Sequence, residues 1–129
     1  MTGTPYRVLV TGSRDWDDKD QVYAALSTAV FQNVPAIVVH GACPTGADTQ
    51  AAWWVRMHGR TLGVTTEPHP ANWRPNGQLD RSAGFRRNAE MVAAGADICL
   101  AFIRNSSRGA SHTVRLAERA GIPVQRWTA

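Results

Sequence analysis

The chain has 129 residues, a formal net charge of +4 and two cysteines. This length suffices for one domain that buries its own hydrophobic core without disulfide support. No basic segment followed by an apolar stretch opens the sequence, and no apolar run approaches the ~18 residues that span a bilayer, so neither secretion nor membrane insertion is expected. Cys43 and Cys99 lack metal-ligand spacing, and we expect a reduced, cytoplasmic, single-domain protein over residues 1–129 with no metal and no cofactor.

Arginine supplies nearly all of the positive charge, because Lys19 is the only lysine. Guanidinium groups suit bidentate contacts to phosphate. A GC-rich genome would produce the same arginine bias, so both explanations stay open. Basicity alone is therefore weak evidence for a nucleic-acid partner.

Apolar, β-branched runs alternate along the chain with stretches of helical composition. The predicted strands cover residues 6–11, 36–40, 65–69, 98–102 and 123–127, and the predicted helices cover residues 17–31, 47–58, 84–94 and 111–120. This alternation predicts an α/β fold: a Rossmann-like three-layer domain with about five mostly parallel strands. In such open sheets, ligands bind outside the carboxyl ends of the strands, where helix N-termini favour anions.

Three polar loops follow predicted strands, at residues 12–16, 41–48 and 104–112. A fourth segment, from about residue 70 to residue 83, is longer than the ~4–6 residues usual between elements, which favours a functional role. It contains Trp73 and leads to a helix start with Arg86, Arg87 and Asn88. We expect all four segments to meet at one anion-binding pocket, with Trp73 stacking on a base or ribose.

The first two loops carry residue types that suit a phosphate or a ribose. Gly12, Ser13 and Arg14 combine close backbone approach, a hydroxyl and a guanidinium, although a structural turn with a solvated arginine would look the same. The second loop carries two glycines, a threonine and an aspartate, namely Gly41, Thr45, Gly46 and Asp48. Asp48 either stabilises the N-terminus of a helix through its negative charge or accepts a hydrogen bond from a ribose hydroxyl.

The third loop supplies hydroxyls, backbone N–H groups and an arginine before a predicted helix. These residues are Ser107, Arg108, Gly109 and Ser111. His112 is expected in the first turn of that helix, facing the pocket, with a surface histidine as the alternative. Cys43 is interpreted as a small turn residue, and His40 as a packed or hydrogen-bonded histidine at the end of a strand.

The order and spacing of these motifs resemble the SLOG superfamily, and within it the small YspA-like, YpsA-related members. The matching segments are Val10-Thr11-Gly12-Ser13-Arg14, His40-Gly41-Ala42, Thr45-Gly46-Ala47-Asp48, Asn72-Trp73, Ala83-Gly84-Phe85-Arg86-Arg87-Asn88 and Ser107-Arg108-Gly109. The resemblance covers roughly residues 6–124. It implies a Rossmann-like domain that binds nucleotides or nucleotide-derived ligands such as ADP-ribose, as a sensor or effector in bacteria or phages.

LOG-type phosphoribohydrolases of the same superfamily cleave a base from a nucleoside monophosphate. Arg87 matches their helix arginine, whereas His112 stands where their glutamate is expected. A carboxylate stabilises the positive charge that develops on the ribose during this cleavage, and an imidazole does so poorly. Glu90 is the tentative substitute, although pairing with Arg86 or Arg87 at helical spacing is the more natural role. We therefore favour binding over hydrolysis, with Arg87 and Glu90 as the catalytic candidates.

A third function class is single-stranded nucleic-acid binding, because a SLOG-type domain also occurs in DNA-processing proteins. Its evidence is the basic pI, the arginines and tryptophans expected at the surface, and it ranks below the other two. The tryptophans in question, which form no evident series of stacking platforms, are Trp16, Trp73 and Trp127.

Trp53 and Trp54 adjoin on a predicted helix and cannot both point fully into one core. A stripe through Trp53 and Met57 is therefore predicted to join two copies of the chain as a homodimer. A broad core face that accepts both indoles is the alternative.

The favoured interpretation is a nucleotide-like ligand whose phosphate contacts Ser13, Arg14, Arg87 and residues 107–111. The loop that contains Asp48 forms the opposite wall in this interpretation. Arg87→Ala is then expected to weaken an anionic ligand while leaving fold stability little changed.

Overall fold

The computed structural model describes residues 4–129 and contains a five-stranded, parallel sheet in the order β3-β2-β1-β4-β5. The strands are β1 (Tyr6–Gly12), β2 (Ala36–His40), β3 (Val64–Pro68), β4 (Ile98–Ile103) and β5 (Val124–Thr128). The α-helices are α1 (Lys19–Val30), α2 (Ala47–Trp54), α3 (Ala83–Ala93) and α4 (Arg108–Arg119). The predicted Rossmann-like α/β fold is confirmed.

Alternate residues of the strands pack on opposite faces of the sheet, as the period of two requires. Val8, Val10 and Val38 pack with residues of α1 and α2, whereas Leu9 and Val39 pack with residues of α3 and α4. The central strands are therefore apolar on both faces, as buried parallel strands are. Within residues 4–129, no helix has the length and apolarity needed to cross a membrane.

Helix boundaries differ from the prediction where an N-cap fixes the first turn. α1 begins at Lys19, later than predicted, because the Asp18 side chain accepts a hydrogen bond from the Gln21 N–H at 3.1 Å. α4 begins at Arg108, earlier than predicted, because Ser107 is its N-cap. The turn of α4 that was predicted as loop therefore presents helix backbone to the carboxyl edge of the sheet.

An ion cluster ties the edge strand β3 to β1. The Arg7 guanidinium donates to both carboxylate oxygens of Glu67, at 2.9 and 2.8 Å. His69 Nε2 lies 2.7 Å from the same carboxylate. These hydrogen bonds lower the pKa of the Glu67 carboxyl to about 2. The cluster fixes the end of β3, from which the long segment toward α3 departs.

The tryptophans divide between core and surface. Trp54 is buried, whereas Trp53 is 49% exposed and Met57 is 60% exposed. Trp16, expected at the surface, is only 4% exposed and packs against Phe102. The expectation for Trp16 is therefore wrong, and this indole cannot serve as a stacking platform for nucleic acid.

The homodimer through Trp53 and Met57 stays a prediction. Removing these apolar side chains from water favours association, so light scattering at micromolar concentration should give twice the chain mass of 14.0 kDa. Trp53→Ser should restore the monomer mass. Phe31→Ser, which changes an exposed apolar side chain elsewhere, should leave the dimer intact. A monomer mass for the unaltered chain would contradict the prediction.

Candidate functional site

A cavity of about 490 Å³ opens at the carboxyl edge of the sheet. It is bordered by the loops after β1, β2 and β4 and by the segment that leads into α3, which are the four segments expected to meet. Its volume is in the range of small-molecule sites. The lining residues are Val10, Thr11, Gly12, Ser13, Arg14, Asp15, Gly41, Cys43, Asp48, Trp73, Arg81, Gly84, Phe85, Arg87, Asn88, Met91, Arg104, Asn105, Ser107, Gly109 and Ala110.

The residues proposed from the sequence divide into two groups. Those that line the cavity are Gly12, Ser13, Arg14, Gly41, Asp48, Trp73, Arg87, Asn88, Ser107 and Gly109. Those that lie elsewhere are Thr45, Gly46, Arg86, Glu90, Arg108, Ser111 and His112.

The buried carboxylate of Asp48 organises the loop after β2. Asp48 is 5% exposed, and its Oδ2 accepts hydrogen bonds from the N–H groups of Gly41 at 3.0 Å and Cys43 at 3.4 Å. Burial raises the pKa of the Asp48 carboxyl. The Cys43 thiol also hydrogen-bonds to this carboxylate, and no backbone N–H group of residues 4–129 donates to its Oδ1. Because Asp48 lines the cavity, Oδ1 is the acceptor left for a ligand hydroxyl.

Arg87 reaches from α3 to the same loop. Its Nη1 donates to the Gly41 carbonyl at 2.5 Å and to the His69 carbonyl at 3.4 Å, and its Nε donates to Asn88 Oδ1 at 2.9 Å. Its Nη2 donates to no group in the described chain and lies beside Gly84, where a Cβ would be 3.7 Å away. Arg87 is therefore a structural support that keeps one nitrogen for an anion.

The hydroxyl of Ser13 is committed to the backbone of Arg104. It accepts a hydrogen bond from the Arg104 N–H at 2.7 Å and donates to the Arg104 carbonyl at 3.2 Å. This exchange joins the loops after β1 and β4, which are neighbours in the sheet. Ser13 lines the cavity, but the contact predicted between its hydroxyl and a phosphate is replaced by a structural role.

Trp73 and Arg14 meet at the cavity. The Arg14 Cζ lies 5.7 Å from the centroid of the indole, within the range of a cation–π contact. The indole also packs on Gly84, where a Cβ would come 3.0 Å from Trp73 Cη2. The Trp73 carbonyl accepts a hydrogen bond from the Asp80 N–H, and the Asp80 carboxylate pairs with Arg86. Arg86 thus holds the loop in place from outside the cavity.

The first turn of α4 borders the cavity with free backbone donors. Ser107 caps this helix, and the N–H groups of Arg108 and Gly109 have no acceptor within residues 4–129. Asn105 and Ser106, just before the cap, have positive φ angles of 52° and 53°. Such conformations cost non-glycine residues on the order of 1–3 kcal/mol each and cluster at functional sites. The turn has the geometry of an anion site at a helix N-terminus.

The charged lining is mainly cationic, with four arginines and two aspartates. They are Arg14, Arg81, Arg87, Arg104, Asp15 and Asp48. Sequence reasoning missed Arg81 and Arg104, although Arg81 lies in the long loop already singled out and Arg104 directly follows β4. The excess of guanidinium groups suits an anionic ligand.

His112 does not face this cavity, contrary to expectation. Its Nδ1 lies 3.4 Å from Nδ2 of the buried Asn88, and its ring lies 4.6 Å from that of Phe85 between centroids. With Arg108 and Ser111, it lines a separate cavity of about 440 Å³. Partial burial lowers the pKa of the His112 imidazole.

Glu90 does not carry the role proposed for it. It is exposed on α3 and does not line the cavity. In the described part of the chain, no ion pair joins it to an arginine, since Arg86 pairs with Asp80 and Arg87 bonds to backbone carbonyls. The predicted ion pair of Glu90 with an arginine is therefore wrong, and its exposed position outside the cavity gives no support to the catalytic role.

The remaining predicted residues shape the frame of the site. Gly46 has a φ of +80° and packs against the backbone of Ser13 and Arg14 so closely that no Cβ fits. Thr45 is exposed beside it. These two residues therefore belong to the contact between two loops and not to the cavity wall.

His40 and Cys43 have the structural roles expected of them. His40 is buried, its Nδ1 accepts a hydrogen bond from the Ala42 N–H at 3.0 Å, and burial lowers the pKa of the imidazole. Burial also raises the pKa of the Cys43 thiol, which disfavours the nucleophilic thiolate. Across residues 4–129, no group of three or more His, Cys, Asp or Glu side chains could hold a metal ion.

Known proteins resemble this chain over most of its length. A model of the YspA, cpYpsA-related SLOG family matches residues 6–75. The Gene 61 protein of Mycobacterium phage D29 is 46% identical over 122 residues, which cover 92% of this chain and 93% of that protein. No solved structure gives a significant match. The family match includes β1, β2, β3 and Trp73, whereas α3 and α4 lie beyond it.

Contrary to the expectation from the sequence, Arg87→Ala should lower the free energy of unfolding by about 1–3 kcal/mol, because it leaves the Gly41 carbonyl without its charged donor. Urea denaturation measures this change. Arg86→Ala, which removes an exposed guanidinium one residue away, should cost about 1 kcal/mol or less. Equal losses for the two variants would show that the bonds of Arg87 do not support the loop.

Proposed function

Since the chain belongs to the YspA, cpYpsA-related SLOG family, as its motifs predicted, we propose that it binds a nucleotide or nucleotide-derived ligand at the carboxyl edge of its sheet. One observation carries this proposal. The same cavity combines a free N–H group of a helix N-terminus, that of Gly109, with a buried carboxylate oxygen of Asp48 that accepts no backbone N–H within residues 4–129. These two features suit the opposite ends of a ribose phosphate.

The phosphate binds at the first turn of α4 in this proposal. The N–H group of Gly109, which lines the cavity, is free there within the described chain, and the helix dipole adds positive potential. Arg14 and the free Nη2 of Arg87 supply charged hydrogen bonds from the facing loops. The arrangement uses backbone donors for position and guanidinium groups for charge.

The ribose and base occupy the other side of the cavity. Asp48 Oδ1 accepts a hydrogen bond from a ribose hydroxyl, which extends the interpretation made from the sequence. The base stacks on Trp73 and displaces the Arg14 guanidinium toward the phosphate. A cavity of about 490 Å³ leaves room for a ligand larger than a nucleoside monophosphate, such as ADP-ribose.

Calorimetric titration with AMP, ADP, NAD and ADP-ribose tests the binding. We expect saturable binding of at least one of these, and no comparable binding of adenosine, which lacks the phosphate. Failure of the whole panel to bind would overturn the proposal for adenine nucleotides.

The contact to Asp48 can be tested on the ligand, without altering the protein. If ADP binds, 2′,3′-dideoxy-ADP should bind about 10–100-fold more weakly, because a hydrogen bond to a charged group is worth ~1.5–3 kcal/mol. Equal affinity of the two ligands would remove Asp48 from the ribose contact. Glu90→Gln, which alters a carboxylate outside the cavity, is the matched protein control and should bind both ligands as the unaltered chain does.

A second candidate function is hydrolysis of the N-glycosidic bond, and the buried carboxylate of Asp48 favours it. Water would add across the bond, releasing free base and ribose 5-phosphate from AMP, while Asp48 stabilised the positive charge on the ribose. Asp15 and Asp48 are the carboxylates that line the cavity, whereas Glu90 does not, and of the two aspartates only Asp48 is buried.

Chromatography of AMP after prolonged incubation with the protein separates the two functions. Release of adenine that Asp48→Asn reduces on the order of 10²–10³-fold, and Glu90→Gln leaves unchanged, would establish the hydrolase. Intact AMP alongside measurable binding would establish a binding protein of the sensor or effector type.

A further inference from the structure

Helix α4 carries a basic stripe on its outer face, outside the nucleotide cavity. Its members are spaced by four, three and four residues, which places them on one side of a helix. They are Arg108, His112, Arg115 and Arg119. The three arginines are exposed, and within residues 4–129 none of them forms a salt bridge. The acidic residue of this helix, Glu118, pairs instead with Arg126 of β5.

At the N-terminal end of the stripe this placement of charge works against the stability of the helix, whereas Arg119 in the last turn favours it. The first turn of α4 contains no acidic residue and begins with Arg108, although a helix N-terminus favours negative charge. Like charges three or four residues apart also destabilise a helix. Sequences break such local rules mainly at functional sites. An anionic partner along the stripe would remove the conflict.

A second cavity and an aromatic ring lie at the N-terminal end of the stripe. The cavity, of about 440 Å³, is formed between α3 and α4. Phe85 of α3 is 40% exposed, and its ring lies 4.6 Å from that of His112. Arg108 and Arg115 line the same cavity. An exposed ring flanked by guanidinium groups is the combination that binds a base together with its phosphates.

We propose that this stripe binds single-stranded nucleic acid, with the sugar–phosphate backbone along α4 and a base stacked on Phe85. Arg108 and Arg119 are eleven residues apart, or about 16 Å along a helix that rises 1.5 Å per residue. That span matches on the order of four nucleotides of a strand. Arg115 and Arg119 do not line the nucleotide cavity, so the backbone contact is independent of it, whereas Phe85 borders both cavities.

Two other polyanions fit the observations less well. An amphipathic helix on a membrane inserts apolar side chains between its basic residues and the lipid, but the apolar face of α4 is buried through Ala110, Val114 and Ala117. An acidic peptide would pair with the charges and make no use of the exposed ring of Phe85. Arginine, moreover, suits phosphate through its bidentate geometry.

Fluorescence anisotropy with labelled 12-nucleotide DNA and RNA strands of mixed sequence tests the proposal on the full chain. We expect binding at 50 mM salt that weakens at 200 mM salt. Arg115→Gln with Arg119→Gln should weaken binding about tenfold and reduce the slope of log affinity against log salt by about 1.4, since each phosphate that is no longer neutralised accounts for about 0.7. The strand that binds more tightly, DNA or RNA, shows which of the two nucleic acids the stripe prefers.

The matched control is Lys19→Gln with Arg60→Gln, which removes the same charge from exposed positions on the α1 and α2 side. It should leave affinity within about twofold if the stripe is the site, whereas equal losses in the two double variants would overturn the proposal. Phe85→Leu should weaken binding about tenfold, because a leucine side chain cannot stack on a base.

Three further outcomes overturn the proposal. The first is the absence of binding to either strand at 50 mM salt. The second is tighter binding to a 12-base-pair DNA duplex of the same sequence than to the single strands. The third is binding to phosphatidylserine vesicles or polyglutamate in place of the oligonucleotides. Circular dichroism of each variant confirms that the fold is retained. The failure of adenine nucleotides to bind in the cavity would leave this test unaffected.

Discussion

Two charged side chains hold the short loop after β2, and the arrangement of the cavity depends on them. Asp48 at the start of α2 accepts the N–H groups of Gly41 and Cys43, while Arg87 of α3 donates to the Gly41 carbonyl. Since α2 and α3 lie on opposite faces of the sheet, these bonds join the two helical layers across its carboxyl edge. Within residues 4–129, one oxygen of Asp48 accepts no backbone N–H and one nitrogen of Arg87 has no acceptor, so the groups that hold the loop also place polar atoms at the cavity.

The sequence predicted the fold because alternating strands and helices admit few arrangements, and because strand ends mark the ligand edge of a parallel sheet. It could not determine where individual side chains point. His112 lies against Asn88 and Phe85 and does not line the cavity, and the many small residues of α4 do not reveal the rotation of that helix. The hydroxyl of Ser13 bonds to Arg104 because β1 and β4 are neighbours, which is a tertiary fact.

Much of the capacity for anions comes from the backbone, where sequence patterns are least informative. The consecutive positive φ angles of Asn105 and Ser106 bring the chain to the N-terminus of α4. Asparagine tolerates that conformation, but serine gives no sequence signal for it. The free N–H groups of the first helical turn follow from this path and from Ser107 as N-cap. From the sequence, the serines of this loop predict contacts through their hydroxyl groups. In the structure, backbone N–H groups of the first turn of α4 are the free donors.

The absence of side chains at Gly12 and Gly46 has a consequence for how such a protein can diverge. A methyl group at Gly12 would overlap Ala47, and one at Gly46 would overlap the Ser13 carbonyl. Substitution at either position therefore requires α2 to move away from β1. Arg14 and Arg81 at the cavity are exposed and free of this restriction. Side chains such as these can therefore be exchanged without displacing the frame, whereas a side chain at Gly12 or Gly46 would displace it.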